Sequence, residues 1–238
     1  MSTTNKNWDT VYSRNFMTNW YPNENIIRFC ARLIQKRLTY DQVEVKRKVK
    51  RVLDLGCGNG RHAIYFAREG MEASGIDISA TAIEWAQDWA KREGFAVDFR
   101  VGDIANLPFP EQHFDVVVSH GVLDHIPMDV AKQAVREVAR VLTANGLFYF
   151  DLKSADDSEF GAGEEAYKNT FVVTDGFEKG LIQHFFTLGE VHELMDQLFR
   201  PIYVETHDHR LAPDFTRMIA RWIIAAEKVE PQKGTQTT

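Results

Sequence analysis

Val52-Leu53-Asp54-Leu55-Gly56-Cys57-Gly58-Asn59-Gly60 runs from a mostly apolar stretch into three glycines spaced two apart. With Arg51, the first four residues make a short buried strand. Glycines at 56, 58 and 60 permit a tight turn and let a ligand approach the backbone closely. A helix follows, carrying Ala63, Ile64, Phe66 and Ala67, and Gly70 stops it as a left-handed C-cap would. The loop alone does not identify a ligand. A dinucleotide fingerprint requires glycine or alanine where Arg61 stands, and the Gly-Lys-Ser/Thr of a phosphate-binding loop is absent.

Strand and helix then alternate. Ala73 to Asp77 reads as the second strand, and Ser79 caps a helix bearing Ile83, Ala86 and Ala90 that ends at Gly94. Val97 to Val101 reads as the third strand and Phe114 to Ser119 as the fourth. Ala131 to Leu142 reads as a helix, Asn145-Gly146 as a turn, and Leu147 to Leu152 as the fifth strand. Short apolar strands between helices predict an α/β fold with a mostly parallel sheet and helices on both faces. Ligands in such sheets sit beyond the carboxyl ends of the strands. Gly56 to Gly60, Asp77, Gly102-Asp103, Ser119-His120 and Asp151 all fall there.

Three acids sharpen the reading. Asp54, two residues before the first glycine, would repel a pyrophosphate but suit a ligand carrying an ammonium and a sulfonium, as S-adenosylmethionine does. Asp77, followed by Ile78, closes the second strand where a carboxylate can accept two ribose hydroxyls. Asp103 closes the third, where it can accept from an adenine amino group while Ile104 covers a ring face. One acid at a strand end is ordinary capping; three in order beside a glycine loop are not.

These segments, with Phe114-Asp115-Val116-Val117-Val118-Ser119-His120 and Glu137-Val138-Ala139-Arg140-Val141-Leu142 before Asn145-Gly146-Leu147, resemble the class I, Rossmann-like methyltransferases that act on small molecules. The resemblance covers roughly residues 50–152. It implies a seven-stranded sheet with the last strand antiparallel, S-adenosyl-L-methionine as cofactor, and a cofactor site that takes in Cys57, Asn59, His62 and Ser119 beside the residues above. The flanks, Tyr21-Pro22-Asn23-Glu24 and Gly161-Ala162-Gly163-Glu164-Glu165 among them, resemble methyltransferases of surface-glycan and secondary-metabolite pathways. That makes a sugar-like or nucleotide-linked molecule one candidate among several small acceptors, and methylation on oxygen is expected. The competing readings are a non-catalytic cofactor-binding partner or sensor, and a nicotinamide-dependent oxidoreductase, which Arg61 and Asp54 disfavour.

Oxygen acceptors must lose a proton, and a general base contributes about 10²–10⁴-fold. His120 and His125, at and just beyond the end of the fourth strand, are the expected bases. Asp124-His125 is similar to part of the metal-holding Glu-x-x-Glu-His segment of ubiquinone-type O-methyltransferases. The first glutamate's place is taken by Gly121, so no metal is expected.

The rest of the chain is read as appended to this core. Residues 1–45 are expected as a helical lid, with Ile26, Cys30, Leu33, Ile34 and Leu38 on one helix face and Tyr12 and Tyr21 closing over the cofactor. Residues 154–180, rich in aromatics, are expected as a substrate lid inserted after the fifth strand, with a short strand at Asn169 to Val173. Leu188 to Phe199 reads as a helix, Ile202 to Thr206 and Arg217 to Ala226 as a terminal hairpin at the sheet edge, and Pro231 to Thr238 as a frayed tail. His207-Asp208-His209-Arg210 reads as an exposed turn, with a stretch facing the substrate as the alternative, since the Thr206 region ends an expected strand.

The 238 residues suffice for one domain, 44% of them apolar. A net charge of -6 argues against nucleic acid, leaving Lys46 to Arg51 as a solvated basic stretch. Two cysteines form no disulfide framework, and no stretch resembles a signal peptide or membrane span. A cytoplasmic protein is expected, with a homodimer left open.

Overall fold

A computed structural model describes residues 3–14, 19–213 and 216–230. The chain begins with α1 (Thr3–Ser13) and α2 (Glu24–Phe29), the latter capped by Asn23, whose side chain accepts from the Asn25 N–H. The helix does not run on to Leu38 as expected. It widens into a π-turn at Cys30–Ile34, and Gln35 turns extended. A small hairpin follows, β1 (Gln35–Arg37) with β2 (Val43–Val45), and Leu38 is exposed on it. Residues 1–45 are therefore not all helical. Ile26, Cys30 and Ile34 are buried as their spacing predicts.

The core alternates as read: β3 (Arg51–Leu55), α3 (Arg61–Arg68), β4 (Glu72–Asp77), α4 (Ala80–Glu93), β5 (Asp98–Val101), β6 (Phe114–Ser119), α5 (Met128–Val141) and β7 (Leu142–Lys153). Ser79 caps α4 by accepting from the Ala82 N–H, and Gly94 ends it in the left-handed region. The Asn145 turn, at φ 57°, is absorbed into β7 as an irregularity. After β7 come β8 (Glu165–Tyr167), β9 (Thr170–Val172) and β10 (Ile182–His184), a separate three-stranded antiparallel sheet. Then α6 (Leu188–Met195) opens on a capping box of Thr187 and Glu190. The hairpin β11 (Phe199–Arg210) and β12 (Met218–Lys228) closes the described chain. The expected tail, 231–238, lies outside the described residues.

The central sheet has seven strands in the order β11-β12-β7-β6-β3-β4-β5. β12 is antiparallel to both neighbours and the other contacts are parallel, as the resemblance implies. Alternation along each strand builds two cores. Leu53, Val117, Phe148, Phe150 and Ile224 face α5 and α6; Val52, Val116, Val118, Tyr149 and Ile223 face α2, α3 and α4. Each such buried apolar side chain contributes about 1.5–3 kcal/mol. Among the described residues no helix is long and apolar enough to cross a membrane.

Candidate active site

The glycine turn folds back onto β4: the N–H groups of Gly56 and Cys57 donate to the Ile76 carbonyl at 2.8 and 2.9 Å. Gly58 has φ 53°, and a β-carbon there would overlap the Tyr12 hydroxyl, so the turn requires glycine on two counts. Asp77, buried at the end of β4, accepts from the Gly58 N–H at 2.8 Å and from the Ser79 N–H at 2.9 Å. Burial raises its pKa to about 6 despite those two bonds, with the Asp54 and Asp9 carboxylates adding to the rise.

Asp54, at the end of β3, is engaged with α3. Its carboxylate accepts from the Ala63 N–H at 3.1 Å in the first turn of α3 and lies 3.8 Å from His62 Nδ1. His62 Nε2 accepts from the Asn23 N–H at 3.2 Å, which places the ring proton on Nδ1, toward Asp54. Burial lowers the pKa of His62 to about 4, so it is neutral across the physiological range.

Two cavities open over the strand ends. One, of 340 Å³, is walled by Asp77, Ile78, Asp103, Ile104 and the apolar Val122 and Ile126. The other, of 430 Å³, runs over Gly56 to Asn59 to Arg61, His62, His120 and Asp151. Trp8, Tyr12, Gly56, Gly121 and His125 line both. Helix α1 forms this shared wall and is pinned to α4: Asp9 accepts from Ser79 Oγ at 2.6 Å and the Thr81 N–H at 3.3 Å. Of the residues singled out in the sequence, Asp54, Gly60, Ser119 and Tyr21 line neither cavity. Asp54 and Ser119 are buried beneath the floor, and the Tyr21 side chain is exposed.

At the ends of β6 and β7 stands a buried charged cluster. His120 Nδ1 lies 2.9 Å from Asp151 Oδ2, and its Nε2 is 3.3 Å from the Asn23 side-chain amide. Asp151 also accepts from the Gly121 N–H at 2.8 Å and from Arg221 Nε at 2.7 Å. Arg221 reaches on to Asp124 at 2.7 Å through Nη2. Burial alone would raise the Asp151 pKa; Arg221 and His120 hold it well below the usual carboxylate range. His125 faces a different partner, with Nδ1 3.1 Å from the Ile182 carbonyl and Nε2 3.5 Å from Glu178.

Sequence reading passed over Arg61, Asn23, Glu178 and Arg221 as site residues. Arg221 carried a signal, a lone cation in the otherwise apolar Ile219-to-Ala226 run. His207 and His209 were expected in an exposed turn. They lie on one face of β11 and both line the larger cavity, as in the alternative reading of that stretch.

Residues 52–146 match a family model described as a methyltransferase domain. The chain is 40% identical over 103 residues to an uncharacterized methyltransferase, YcgJ, of Bacillus subtilis, covering 43% of this chain and 40% of that protein. It is 33% identical over 116 residues to norajmaline N-methyltransferase of Rauvolfia serpentina, covering 47% and 39%. The chain thus spans well under half the length of these two relatives. Among solved structures, a SAM-dependent methyltransferase from Methanosarcina mazei superposes with a TM-score of 0.67 at 24% identity, over 78% of this chain and 95% of that one. The fold is that of the class I, Rossmann-like methyltransferases, residues 52–146 match a methyltransferase domain, and S-adenosylmethionine is the cofactor of that class. The donor set fits the cofactor. The apolar cavity with Asp77 and Asp103 at its rim suits a nucleoside, and the glycine floor with Arg61 beside it suits the amino-acid end.

Proposed function

We propose that this chain transfers a methyl group from S-adenosylmethionine to an oxygen of a small, polar acceptor, with His120 as the base. The observation that carries this is the His120–Asp151 pair. The Asp151 carboxylate, 2.9 Å from Nδ1, favours the proton on that nitrogen and leaves Nε2, which the Asn23 amide meets at 3.3 Å, as the nitrogen that takes a proton. The cofactor supplies a methyl already activated as a sulfonium. Asp77 and Asp103 hold the nucleoside, with Ile78 and Ile104 against its base. Gly56, Gly58 and Arg61 hold the amino-acid end. Asn23 marks the position that an acceptor hydroxyl takes over on His120. His125 is a weaker candidate for the base, since Glu178 and Asp124 outweigh its burial and raise its pKa, favouring its protonated form. Helix α1 and the β8–β10 insertion serve as covers that exclude water and help align the reactants.

A polar far wall, with Lys153, Gln183, His207 and His209, supports a hydroxyl-rich, sugar-like acceptor over a long apolar one. Turnover of S-adenosylmethionine against a panel of hydroxylated acceptors tests the reading. Wild type should turn over at least one. His120→Ala should lower that rate by about 10²–10⁴-fold, with S-adenosylhomocysteine affinity little changed. Tight binding without any turnover would favour a cofactor-binding partner or sensor. A fully active His120→Ala would remove His120 as the base.

A further inference from the structure

Helix α1 crosses the mouth of the site and is held from outside it. Trp8 and Tyr12 line both cavities, while Asp9 between them lines neither. The Asp9 carboxylate meets the start of α4 instead, accepting from Ser79 Oγ at 2.6 Å and from the Thr81 N–H at 3.3 Å. The first N–H groups of a helix lack helical partners, and the positive end of its dipole favours a carboxylate there. Ser79 is fully buried and itself caps α4, so the anchor belongs to the packed core.

Ring contacts extend the crossing on either side. The Trp8 ring meets His125 edge-on with centroids 5.3 Å apart, and Tyr12 meets Trp85 of α4 edge-on at 6.2 Å. The Tyr12 hydroxyl stands over Gly58, where a β-carbon would overlap it. Helix α1 thus bridges from α4 to the segment after β6, with the glycine turn beneath it.

We propose that Asp9 is the latch of a gate for the cofactor: its bonds to Ser79 and Thr81 hold α1 across the two cavities, and the cofactor exchanges when they break. This rests on the cofactor lying across both cavities, nucleoside in one and amino-acid end in the other. A ligand so placed passes beneath Trp8 and Tyr12, and lifting α1 frees both ends at once. Because Asp9 lines neither cavity, no cofactor atom competes for its carboxylate, and the latch is the same with the site empty or filled. Breaking it speeds entry and exit alike and leaves affinity nearly unchanged. Loss of a residue that merely supports the binding site acts differently: it speeds exit, does not speed entry, and lowers affinity. Asp9 stands 70 residues before Ser79 and outside residues 52–146, so the latch is a feature of this chain's own N-terminal segment.

The test is the exchange of S-adenosylhomocysteine, followed by stopped-flow tryptophan fluorescence at fixed pH, with Trp8 in the shared wall as a reporter. Association is read from the concentration dependence of the observed rate, and dissociation from dilution of the complex. Asp9→Ala should raise both rate constants by about tenfold, as expected for a hydrogen-bonded carboxylate, with the dissociation constant within about twofold of wild type. Asp9→Asn keeps an oxygen that can accept from Ser79 Oγ and should lie between the two. Amide exchange along α1 should be faster in Asp9→Ala both with and without S-adenosylhomocysteine. Faster dissociation alone, with affinity lost by the same factor, makes Asp9 a structural support and overturns the gate. Should Asp9→Ala not fold, the smaller rise of both rates in Asp9→Asn decides. Wild type that does not bind S-adenosylhomocysteine overturns the cofactor reading and the gate together; wild type that binds it, with rates unmoved in Asp9→Ala, overturns the gate alone.

Discussion

The carboxylate of Asp77 accepts the backbone N–H of Gly58 at 2.8 Å, so the end of β4 and the turn after β3 form one unit. Any ligand lying on the glycine turn feels the protonation state of Asp77. Its pKa, raised to about 6 by burial, puts that change within reach of ordinary buffers. For a carboxylate raised on folding, the sign is clear. The protonated form is favoured in the fold, and its stabilising effect is lost as pH rises through about 6. The ionised form is the one that accepts ribose hydroxyls. S-adenosylhomocysteine affinity, measured by calorimetry, should therefore fall by about tenfold from pH 7.5 to pH 5, following the ionised fraction. Asp77→Asn should bind about ten- to a hundredfold more weakly at pH 7.5, with a flat profile. A flat wild-type profile would remove Asp77 from the nucleoside site.

What could be read without coordinates was local. The strand, glycine turn and helix from Arg51 to Arg68 is specified by neighbours in sequence, and the nearly continuous apolar run of Phe114–Ser119 identifies a strand buried on both faces. Two errors came from local pattern, one from periodicity and one from polarity. Leu38 continues the i, i+4 series of Ile26, Cys30 and Ile34, but the π-turn takes the chain out of register and Gln35 leaves the helix. His207 and His209 are spaced as in a strand, yet their polarity suggested a turn. Asp54 is read toward the ligand for its charge, and local sequence does not show that its carboxylate also accepts from the Ala63 N–H in the first turn of α3. The Asp124–Arg221–Asp151–His120 series was out of reach for another reason. It joins β6, β7 and β12, and the Asp151–Arg221 pair spans 70 residues. It exists only because the last strand inserts beside β7.

His62 makes a stability prediction with the opposite sign to Asp77. Its pKa is lowered to about 4 by burial, so the fold binds its neutral form. A base depressed on folding contributes stability above its unfolded value, lost as pH falls from about 6.5 toward 4. Between pH 7.5 and pH 5 wild type should lose about 2 kcal/mol from this group, read from urea unfolding. His62→Gln keeps an acceptor for the Asn23 N–H and does not titrate. Its loss over the same interval should be smaller by that amount. Equal losses in the two proteins would mean that His62 is solvated or charged in the fold.

His125 gives the site a link to the insertion. Its Nδ1 is 3.1 Å from the Ile182 carbonyl, its Nε2 is 3.5 Å from Glu178, and the Trp8 ring meets it edge-on at 5.3 Å. The one imidazole thus touches helix α1, the strand β10 and the loop before it. Burial alone would keep the ring neutral, but Glu178 and Asp124 reverse that and raise its pKa. A base raised on folding contributes fully below about 6.5, and the contribution is lost as pH rises through the folded value. The imidazolium–Glu178 pair should therefore weaken on the alkaline side, loosening residues 174–182 from the cavity rim. Hydrogen exchange, corrected for the intrinsic rate at each pH, should be about two- to fivefold faster there at pH 8.5 than at pH 6.5, the range expected of a partly exposed ion pair. Glu178→Gln should remove that pH dependence and show the faster corrected rate at both values. Identical pH dependence in wild type and Glu178→Gln would show that the insertion is held by its own sheet, with His125 only packed against it.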